Sequence, residues 1–263
     1  ARAIRWLHER FEFPAADLAE IQVDDDGAFF YVEPSPFNCF GPLCPQPVLA
    51  EANDPADGSS PEPSASAAED AFFLHSRPGA PNTVFLDFDG HTFSNTAWGS
   101  GTIYAKPFDT DGNPSSFSST ERAAIAEIWH RVAEDFAPFD INVTTEEPAS
   151  FDARVGRILI TSKTQTNGSA MPYNSGGGVA YVGVFGNSSY GYYSPALVYY
   201  DNLAKNATYI AEASSHEFGH NLGLSHDGTS SVTYYAGHGS GNTSWAPIMG
   251  NSYYNNVTQW SRG

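Results

Sequence analysis

Positive charge is scarce in this chain. Its 263 residues include 12 Lys and Arg but 30 Asp and Glu, giving a net charge of −18. So acidic a chain is repelled by nucleic-acid phosphates and by anionic membranes, and neither is an expected partner. Long apolar runs are missing too, since the longest candidate (179–185) falls far short of the roughly 20 residues of a membrane span. Apolar residues still make up 41%, which excludes general disorder and predicts a globular core.

Lysine and cysteine are also rare. Lysine occurs three times, while Asn, Ser, Tyr and Gly are frequent, a bias that favours secretion. The two cysteines, Cys39 and Cys44, stand close enough in sequence for a tight disulfide, which is their expected state. The chain starts without Met, and its first 20 residues lack the apolar core of a signal peptide. We interpret it as already trimmed at its start.

A segment without large apolar side chains divides the sequence. Residues 50–70 contain no Val, Ile, Leu, Met, Phe, Trp or Tyr, which predicts a flexible linker. Before it, residues 1–49 carry a short helix signal and a hairpin signal, with strands at 21–23 and 28–32 around a glycine turn. So small a core is not expected to be stable alone, and this part should lean on residues 71–263.

Strand and helix signals alternate in residues 71–263. A capping-box sequence at 118–121 precedes apolar residues at helical spacing, and Gly223 marks the end of a second long helix. The predicted elements are strands at 83–88, 141–145, 155–161, 179–185 and 196–200, a helix after 118, and a helix at 208–222 with Ala211, Ser215, Phe218 and Leu222 facing inward. This order predicts an α+β fold with a mixed sheet and two long helices.

The second helix carries a pattern with metal-binding geometry. His216 and His220 are four residues apart, so both imidazoles project from one face and can hold one ion. Glu217 lies about 100° further round the helix, beside the ion. Gly223 allows a sharp turn that brings His226 back as the third ligand. Three neutral imidazoles and one open position are what a catalytic Zn²⁺ site requires.

Residues 216–226 read H-E-x-x-H-x-x-G-x-x-H, and the chain resembles the metzincin clan of zinc peptidases. Met249 follows in a stretch similar to the Met-turn of that clan, and Asp227 is similar to the reprolysin-like branch. Residues 86–91 and 245–250 resemble a bacterial secreted type. The resemblance covers roughly residues 80–260.

The resemblance implies a metzincin-like zincin domain with a twisted mixed sheet and an active-site cleft, preceded by a propeptide-like segment, 1–49. It implies that the three histidines bind zinc and that Glu217 is the general base toward a metal-activated water and then the proton donor to the leaving amine. Met249 would form an apolar floor beneath the histidines, and Asp227 would brace the turn. Metzincins usually have one more helix after the Met-turn, so the chain is interpreted as truncated after Gly263.

The same resemblance implies a substrate site. Residues 177–185 would be an edge strand that pairs with a peptide substrate, the alternative being an ordinary internal strand. In some branches a tyrosine two residues after the methionine reaches the metal, but that position is Asn251 here. The candidate substrate-binding residues are Gly178, Val179, Ala180 and Tyr253. Pocket-wall candidates, for which a core position is the alternative, are Tyr234, Tyr235 and Trp245.

Two further patterns leave alternatives open. Cys39 resembles a cysteine switch, in which a propeptide thiolate takes the open zinc position, and the disulfide is the alternative. The acidic sequence around Gly112 resembles part of a calcium loop, and a solvated Asp–Gly turn is the alternative. Its residues are Asp109, Asp111 and Asn113; Asp87 and Asp89 at a strand end allow the same two interpretations.

Together these observations predict a secreted, monomeric zinc endopeptidase that acts on proteins or peptides, with Ca²⁺ as an additional candidate ion. Two alternatives stay open. One is a zincin-fold module without catalysis, which keeps the metal for structure and binds a partner. The other is a zinc amidase acting on a non-protein substrate.

Overall fold

The computed structural model describes residues 17–36 and 70–260. Seven of the strands in these residues form one mixed sheet. The strands are β1 (Gln22–Val23), β2 (Phe29–Glu33), β3 (Asn82–Asp87), β4 (Thr92–Phe93), β5 (Ile103–Tyr104), β6 (Ile141–Thr144), β7 (Val155–Thr161), β8 (Gly178–Tyr181), β9 (Ala196–Tyr199), β10 (Trp245–Pro247) and β11 (Val257–Gln259). The α-helices are α1 (Ser119–Phe136), α2 (Tyr190–Tyr193) and α3 (Ala207–Asn221); 3-10 turns occupy Asp17–Ala19, Tyr200–Leu203 and Gly241–Thr243.

The order of the strands in the main sheet is β1-β2-β8-β9-β7-β3-β6. Its strands β9, β7, β3 and β6 are parallel, while β8 and β2 add antiparallel neighbours at one side. Two small sheets, β4–β5 and β10–β11, lie outside it. The predicted α+β class with a mixed sheet and two long helices is therefore confirmed.

Both faces of the sheet are covered. Because side chains alternate along a strand, Ile158 and Ile160 of β7 join the core under α1 and α3, whereas Leu159 joins a second core on the opposite face. That second core includes Trp98 and the neighbourhood of the β4–β5 hairpin. With apolar layers on both sides, the central parallel strands carry almost continuous hydrophobic sequence, which made them easy to predict.

The two long helices begin where the sequence predicts. Ser118 caps α1 and Glu121 completes the capping box, as expected. The predicted helix at 208–222 is observed as α3, capped by Asn206 and ended before Gly223, whose φ is +99°. The inward position predicted for Leu222 is wrong: the helix ends at Asn221, and Leu222, as its C-cap, is 40% exposed.

Strand β8 is shorter than predicted. It ends at Tyr181 because Gly183 adopts a φ of +66° and turns the chain toward the end of α3. There the Gly183 N–H donates to His220 O (2.8 Å), and the Phe185 N–H donates to Asn221 O (2.9 Å). These bonds satisfy carbonyls that a helix end leaves without partners, and they fix α3 next to β8.

The predicted hairpin near the N-terminus is confirmed as β1 and β2, with Gly27 at a φ of +85° in the turn. It does not stand apart, because β2 pairs along the whole of β8. The helix signal in residues 1–16, most of the predicted linker, Cys39 and Cys44 lie outside the described residues. Within the described ranges, no helix combines the length and apolar character needed to cross a membrane.

Candidate metal centre

The three predicted histidine ligands meet at one point. His216 and His220 project from the same face of α3, with ring centroids 4.8 Å apart. After the turn at Gly223 the chain returns, and His226 lies 4.9 Å from His220 and 5.4 Å from His216 by ring centroids. All three residues are buried. The sequence-predicted constellation is therefore brought together in space.

Each of these rings is oriented through its Nδ1 atom. Nδ1 lies 2.7 Å from Ile248 O in His216, 2.8 Å from Leu224 O in His220, and 3.1 Å from Asp17 Oδ1 in His226. Because these oxygens only accept hydrogen bonds, we assign a proton to every Nδ1 and leave Nε2 free to bind a metal. Backbone carbonyls and a buried carboxylate thus set the ring orientations that a three-histidine site needs.

A carboxylate that the sequence did not reveal lies against the histidines. Glu33, the last residue of β2, places Oε1 2.8 Å from His226 Nε2 and 3.2 Å from His220 Nε2. Its Oε2 lies 3.4 Å from His216 Nε2. Burial opposes ionisation of Glu33, but His226 and His216 outweigh it and hold the pKa of this carboxyl well below its usual range.

These four side chains fit a zinc ion. Their donor atoms all lie within 4.8 Å of one another, and His216 Nε2 is buried without a hydrogen-bond partner in the described chain. Burial works against the charged form of His226, but Glu33 and Asp17 raise its pKa to about 9. The space between the four side chains therefore favours a cation. Three imidazole nitrogens and a carboxylate oxygen are ligands that Zn²⁺ prefers.

Glu217 lies beside this centre, directly under β8. A β-carbon placed on Gly178 would be 2.1 Å from Glu217 Oε1, so the carboxylate lies against the backbone of that strand. Both carboxylate oxygens are buried and have no hydrogen-bond partner among residues 17–36 and 70–260. Burial, and then the charge of Glu33, hold the pKa of Glu217 well above its usual range. A buried, unengaged carboxylate at this place is available for proton transfer.

Comparison with known protein families is consistent with this geometry. Residues 161–261 match a reprolysin model described as Metallo-peptidase family M12. This segment belongs to the reprolysin-like metallopeptidases. The reprolysin-like segment contains the three histidines, Glu217 and the predicted Met-turn, and the family implies zinc as the metal. No curated protein and no solved structure matches the chain.

The predicted Met-turn of the reprolysin-like segment packs under α3. Met249 is buried, and a β-carbon on Gly219 would lie 2.4 Å from its sulfur, so the side chain rests against the helix between His216 and His220. The Asp227 N–H donates to Met249 O (2.7 Å), which ties the chain after the third histidine to the turn. The bracing role of the Asp227 side chain stays a prediction.

The predicted substrate-binding residues lie on two sides of the centre. Gly178, Val179 and Ala180 belong to β8, whose outer edge is paired with β2. Beyond Glu33 opens a cavity of about 580 Å³, lined by residues that include His216, Pro34 and Tyr253. Two of the three predicted pocket walls, Tyr234 and Tyr235, line this cavity as well. Trp245 is buried in β10, where its indole N–H donates to Gln259, so the core alternative holds for it.

The acidic loop around Gly112 has the form of a solvated turn. Asp109 Oδ1 accepts the N–H groups of Asp111 (3.2 Å), Gly112 (2.6 Å) and Asn113 (3.1 Å). Glu121, the third nearby carboxylate, is engaged by the cap of α1 and by the Thr110 N–H. Asp109, Asp111 and Glu121 have carboxylate oxygens within 4.8 Å of one another, but their hydrogen bonds are those of an Asp–Gly turn and a helix cap, and the expectation of a calcium ion here is not supported.

The remaining acidic candidates are also engaged. Asp87 forms a buried ion pair with Arg157. Asp87 and Asp89 belong to no group of metal-binding side chains in the described residues.

A cysteine switch would place its thiolate at the open metal position, and the carboxylate of Glu33 lies next to that position. Cys39 itself lies outside the described residues.

Two residues of this centre were missed by the sequence reasoning, Glu33 and Asp17. Both belong to the N-terminal segment, and Glu33 precedes His220 by 187 positions. The local signal that could have found Glu33 is an acidic residue at the end of an apolar strand, directly before Pro34, in a segment interpreted as propeptide-like.

Proposed function

We propose that this protein is a zinc endopeptidase in which His216, His220 and His226 hold the metal and Glu217 is the general base. The observation that carries the proposal is the buried carboxylate of Glu217, unengaged in the described chain, beside three convergent imidazoles. Zn²⁺ bound there would lower the pKa of water and polarise a carbonyl group.

The position of Glu217 supports two proton transfers. As a base it takes a proton from the attacking water, and as an acid it gives that proton to the leaving amine of the cleaved peptide bond. A carboxyl whose pKa is raised by burial is suited to both steps, because its carboxylate is a stronger base than an ordinary one and keeps the accepted proton until the amine leaves. The raised pKa of Glu217 therefore supports its proposed role in proton transfer.

The edge of β8 supports a peptide as the substrate. A polypeptide that replaced β2 would find the same backbone donors and acceptors at Gly178–Tyr181. The cavity beyond Glu33, with Val232, Tyr234 and Tyr253 among its lining residues, would receive one apolar side chain of that peptide. We propose, with these features, that the protein cleaves within extended peptides.

Secretion and a monomeric state remain part of the proposal. Scarcity of lysine and the frequency of Asn, Ser, Tyr and Gly support an extracellular location for this enzyme. A purely structural metal site has no use for a buried carboxylate such as Glu217 beside its ligands, which argues against the module without catalysis.

The test compares Glu217→Gln with the exposed control Glu127→Gln. Each substitution is made both in the wild-type chain and in a Glu33→Gln background, because Glu33 lies over the histidines. Fluorogenic peptides report activity, and elemental analysis reports zinc. We expect Glu217→Gln to keep one zinc and to lose about 100-fold or more of kcat/KM. Unchanged turnover in that variant would remove Glu217 from the mechanism. Zinc-loaded protein that cleaves amides but no peptide would favour the amidase.

A further inference from the structure

The N-terminal segment occupies the edge on which a substrate would bind. Strand β2 pairs antiparallel with β8 in the register Phe30 to Tyr181 through Glu33 to Gly178. The bonded edge extends beyond β8, since the Val182 N–H donates to Phe29 O (2.8 Å) and the Gly177 N–H donates to Glu33 O (2.7 Å). Every residue of β8 is thereby covered by residues 29–33 of the same chain.

The strand is firmly packed. Phe29, Phe30 and Tyr31 are 6%, 2% and 1% exposed, so β2 buries most of its apolar surface against the rest of the protein. The ring of Tyr31 lies 4.5 Å from that of His220 and 4.2 Å from that of His226, by centroids. Burial of these three aromatic side chains stabilises the pairing of β2 with the rest of the protein.

The segment contacts the centre at a second place. Asp17 accepts from the backbone N–H of His226 (3.0 Å) and lies 3.1 Å from its Nδ1. The Tyr31 hydroxyl donates to the same carboxylate (3.2 Å), which joins the two ends of the segment. One of the three histidines is therefore oriented by a residue of the segment that covers the cleft.

Beyond Glu33 the segment continues along the cleft. Pro34 and Pro36 line the cavity of about 580 Å³, and between them the Ser35 hydroxyl donates to Asn202 O (2.7 Å). The Tyr254 hydroxyl donates to Pro36 O (3.0 Å). Residues 29–36 thus follow the cleft on both sides of the histidines, as a bound peptide would.

One feature distinguishes this segment from a substrate. The backbone carbonyl of Glu33 is bonded to the Gly177 N–H, and the side-chain carboxylate, not a peptide carbonyl, faces the three Nε2 atoms. The next residue is Pro34, whose nitrogen carries no proton. A carboxylate offers a negative charge to a cation and contains no bond for the enzyme to cleave.

We propose that residues 17–36 are a built-in inhibitor, in which Glu33 is the fourth ligand of the metal and β2 fills the substrate cleft. The intact chain is then latent, and activity requires that this strand leave β8. The inference rests on the proposed zinc endopeptidase function, but the identity of the fourth ligand is measured without any activity.

The test uses the full chain loaded with Co²⁺ in place of zinc, because the visible absorption of Co²⁺ reports its ligands. The variants are Glu33→Gln and the matched control Asp25→Asn, which removes an exposed acid from the β1–β2 turn of the same segment. We expect Glu33→Gln to change the spectrum and to raise zinc-dependent peptide cleavage by about tenfold or more, while Asp25→Asn changes neither.

An unchanged spectrum in Glu33→Gln overturns the ligand assignment, and a changed spectrum with equal, measurable cleavage rates in the wild type and the variant overturns the latency. If the spectrum changes but no form of the chain cleaves any peptide, the ligand assignment stands and the proposed peptidase function fails. Should Glu33→Gln not fold, Glu33→Asp replaces it, since it keeps the charge and shortens the reach by one methylene. A changed spectrum is expected for it as well, and an unchanged one would contradict the proposal.

Discussion

Gly178 and Glu217 are in such close contact that the strand residue has to be glycine. A β-carbon at position 178 would meet Oε1, Cδ and Cγ of Glu217 at 2.1, 2.7 and 2.7 Å. The carboxylate is buried and belongs to a helix fixed by its own packing, so it has little room to move. Because Gly178 has no side chain, the Glu217 carboxylate can lie directly against the backbone of β8, and this contact helps to fix the position of the proposed base.

Replacing this glycine tests the contact. We expect Gly178→Ala to lower the free energy of unfolding by about 1–3 kcal/mol, the usual cost of an overpacked site, and to reduce peptide cleavage in the Glu33→Gln background. Gly191→Ala is the control, since a β-carbon there meets nothing within 4 Å. Urea denaturation and the peptide assay measure the two effects, and a Gly178→Ala protein as stable and active as the control would contradict the contact.

The cap of α1 gives a second prediction. The Ser118 hydroxyl accepts from the Glu121 N–H, and the Glu121 carboxylate accepts from the Ser118 N–H in return. Ser118→Ala is expected to lower the free energy of unfolding by about 1 kcal/mol because one helix N–H loses its partner. Ser119→Ala changes the adjacent exposed residue and should cost less in the same urea titration. Equal effects for the two substitutions would argue against the cap.

Asp135 gives a prediction for pH dependence. Burial, followed by the nearby Glu212 carboxylate, raises its pKa from 3.8 to about 7, although the Ser215 hydroxyl donates to it (2.6 Å) and works in the opposite direction. The folded state thus keeps this proton over a range in which the unfolded chain has lost it. The resulting stabilisation is fully present below about pH 4 and disappears as the pH rises through about 7.

Asp135→Asn should remove this component, so that the free energy of unfolding of the variant falls less between about pH 4 and about pH 7 than that of the wild type. Asn can still accept the bond from Ser215. Asp140→Asn, an exposed position shortly after α1, is the control and should retain the wild-type slope. Urea titrations at several pH values make the comparison, and identical slopes for all three proteins would count against the assignment.

Metal removal gives a fourth prediction. A ligand that binds the folded state alone stabilises it, by about 2.7 kcal/mol at a free concentration 100 times its Kd. A chelator should therefore lower the Tm of the wild-type protein, and it should have no effect on His220→Ala. His130→Ala, which changes an exposed histidine of α1, should respond to the chelator as the wild type does. Calorimetry measures the Tm of each protein with and without the chelator. A wild-type Tm that the chelator leaves unchanged would argue against a bound metal.

Local patterns were enough to predict most of the secondary structure of residues 71–260. Four of the five strands predicted in residues 71–263 have ends within one residue of those observed, because nearly all of their residues are buried and β-branched residues are frequent in them. The helix with the three-histidine motif has its predicted end at Gly223, where a positive φ is required. The motif could be interpreted because its ligands are neighbours in sequence.

Glu33 could not be found in this way. The hairpin that contains it was predicted, but the pairing of β2 with β8 joins residues nearly 150 positions apart, and nothing within either strand names its partner. The end of β8 was missed for a related reason. Val184 and Phe185 are apolar and β-like in sequence, yet the N–H groups of Gly183 and Phe185 donate to the last carbonyls of α3, a tertiary contact that overrides local preference.

Strand β2 also provides a starting point for the design of a synthetic peptide inhibitor. The sequence Phe-Phe-Tyr-Val-Glu already has the length and the register to lie along Gly178–Tyr181, and its terminal carboxylate is where a stronger chelating group, such as a hydroxamate, would be attached. A synthetic pentapeptide of this design would be selective for this protein, because its aromatic residues are the ones that are buried when β2 pairs with β8. Under the proposed latency, residues 29–33 would be the template for such an inhibitor.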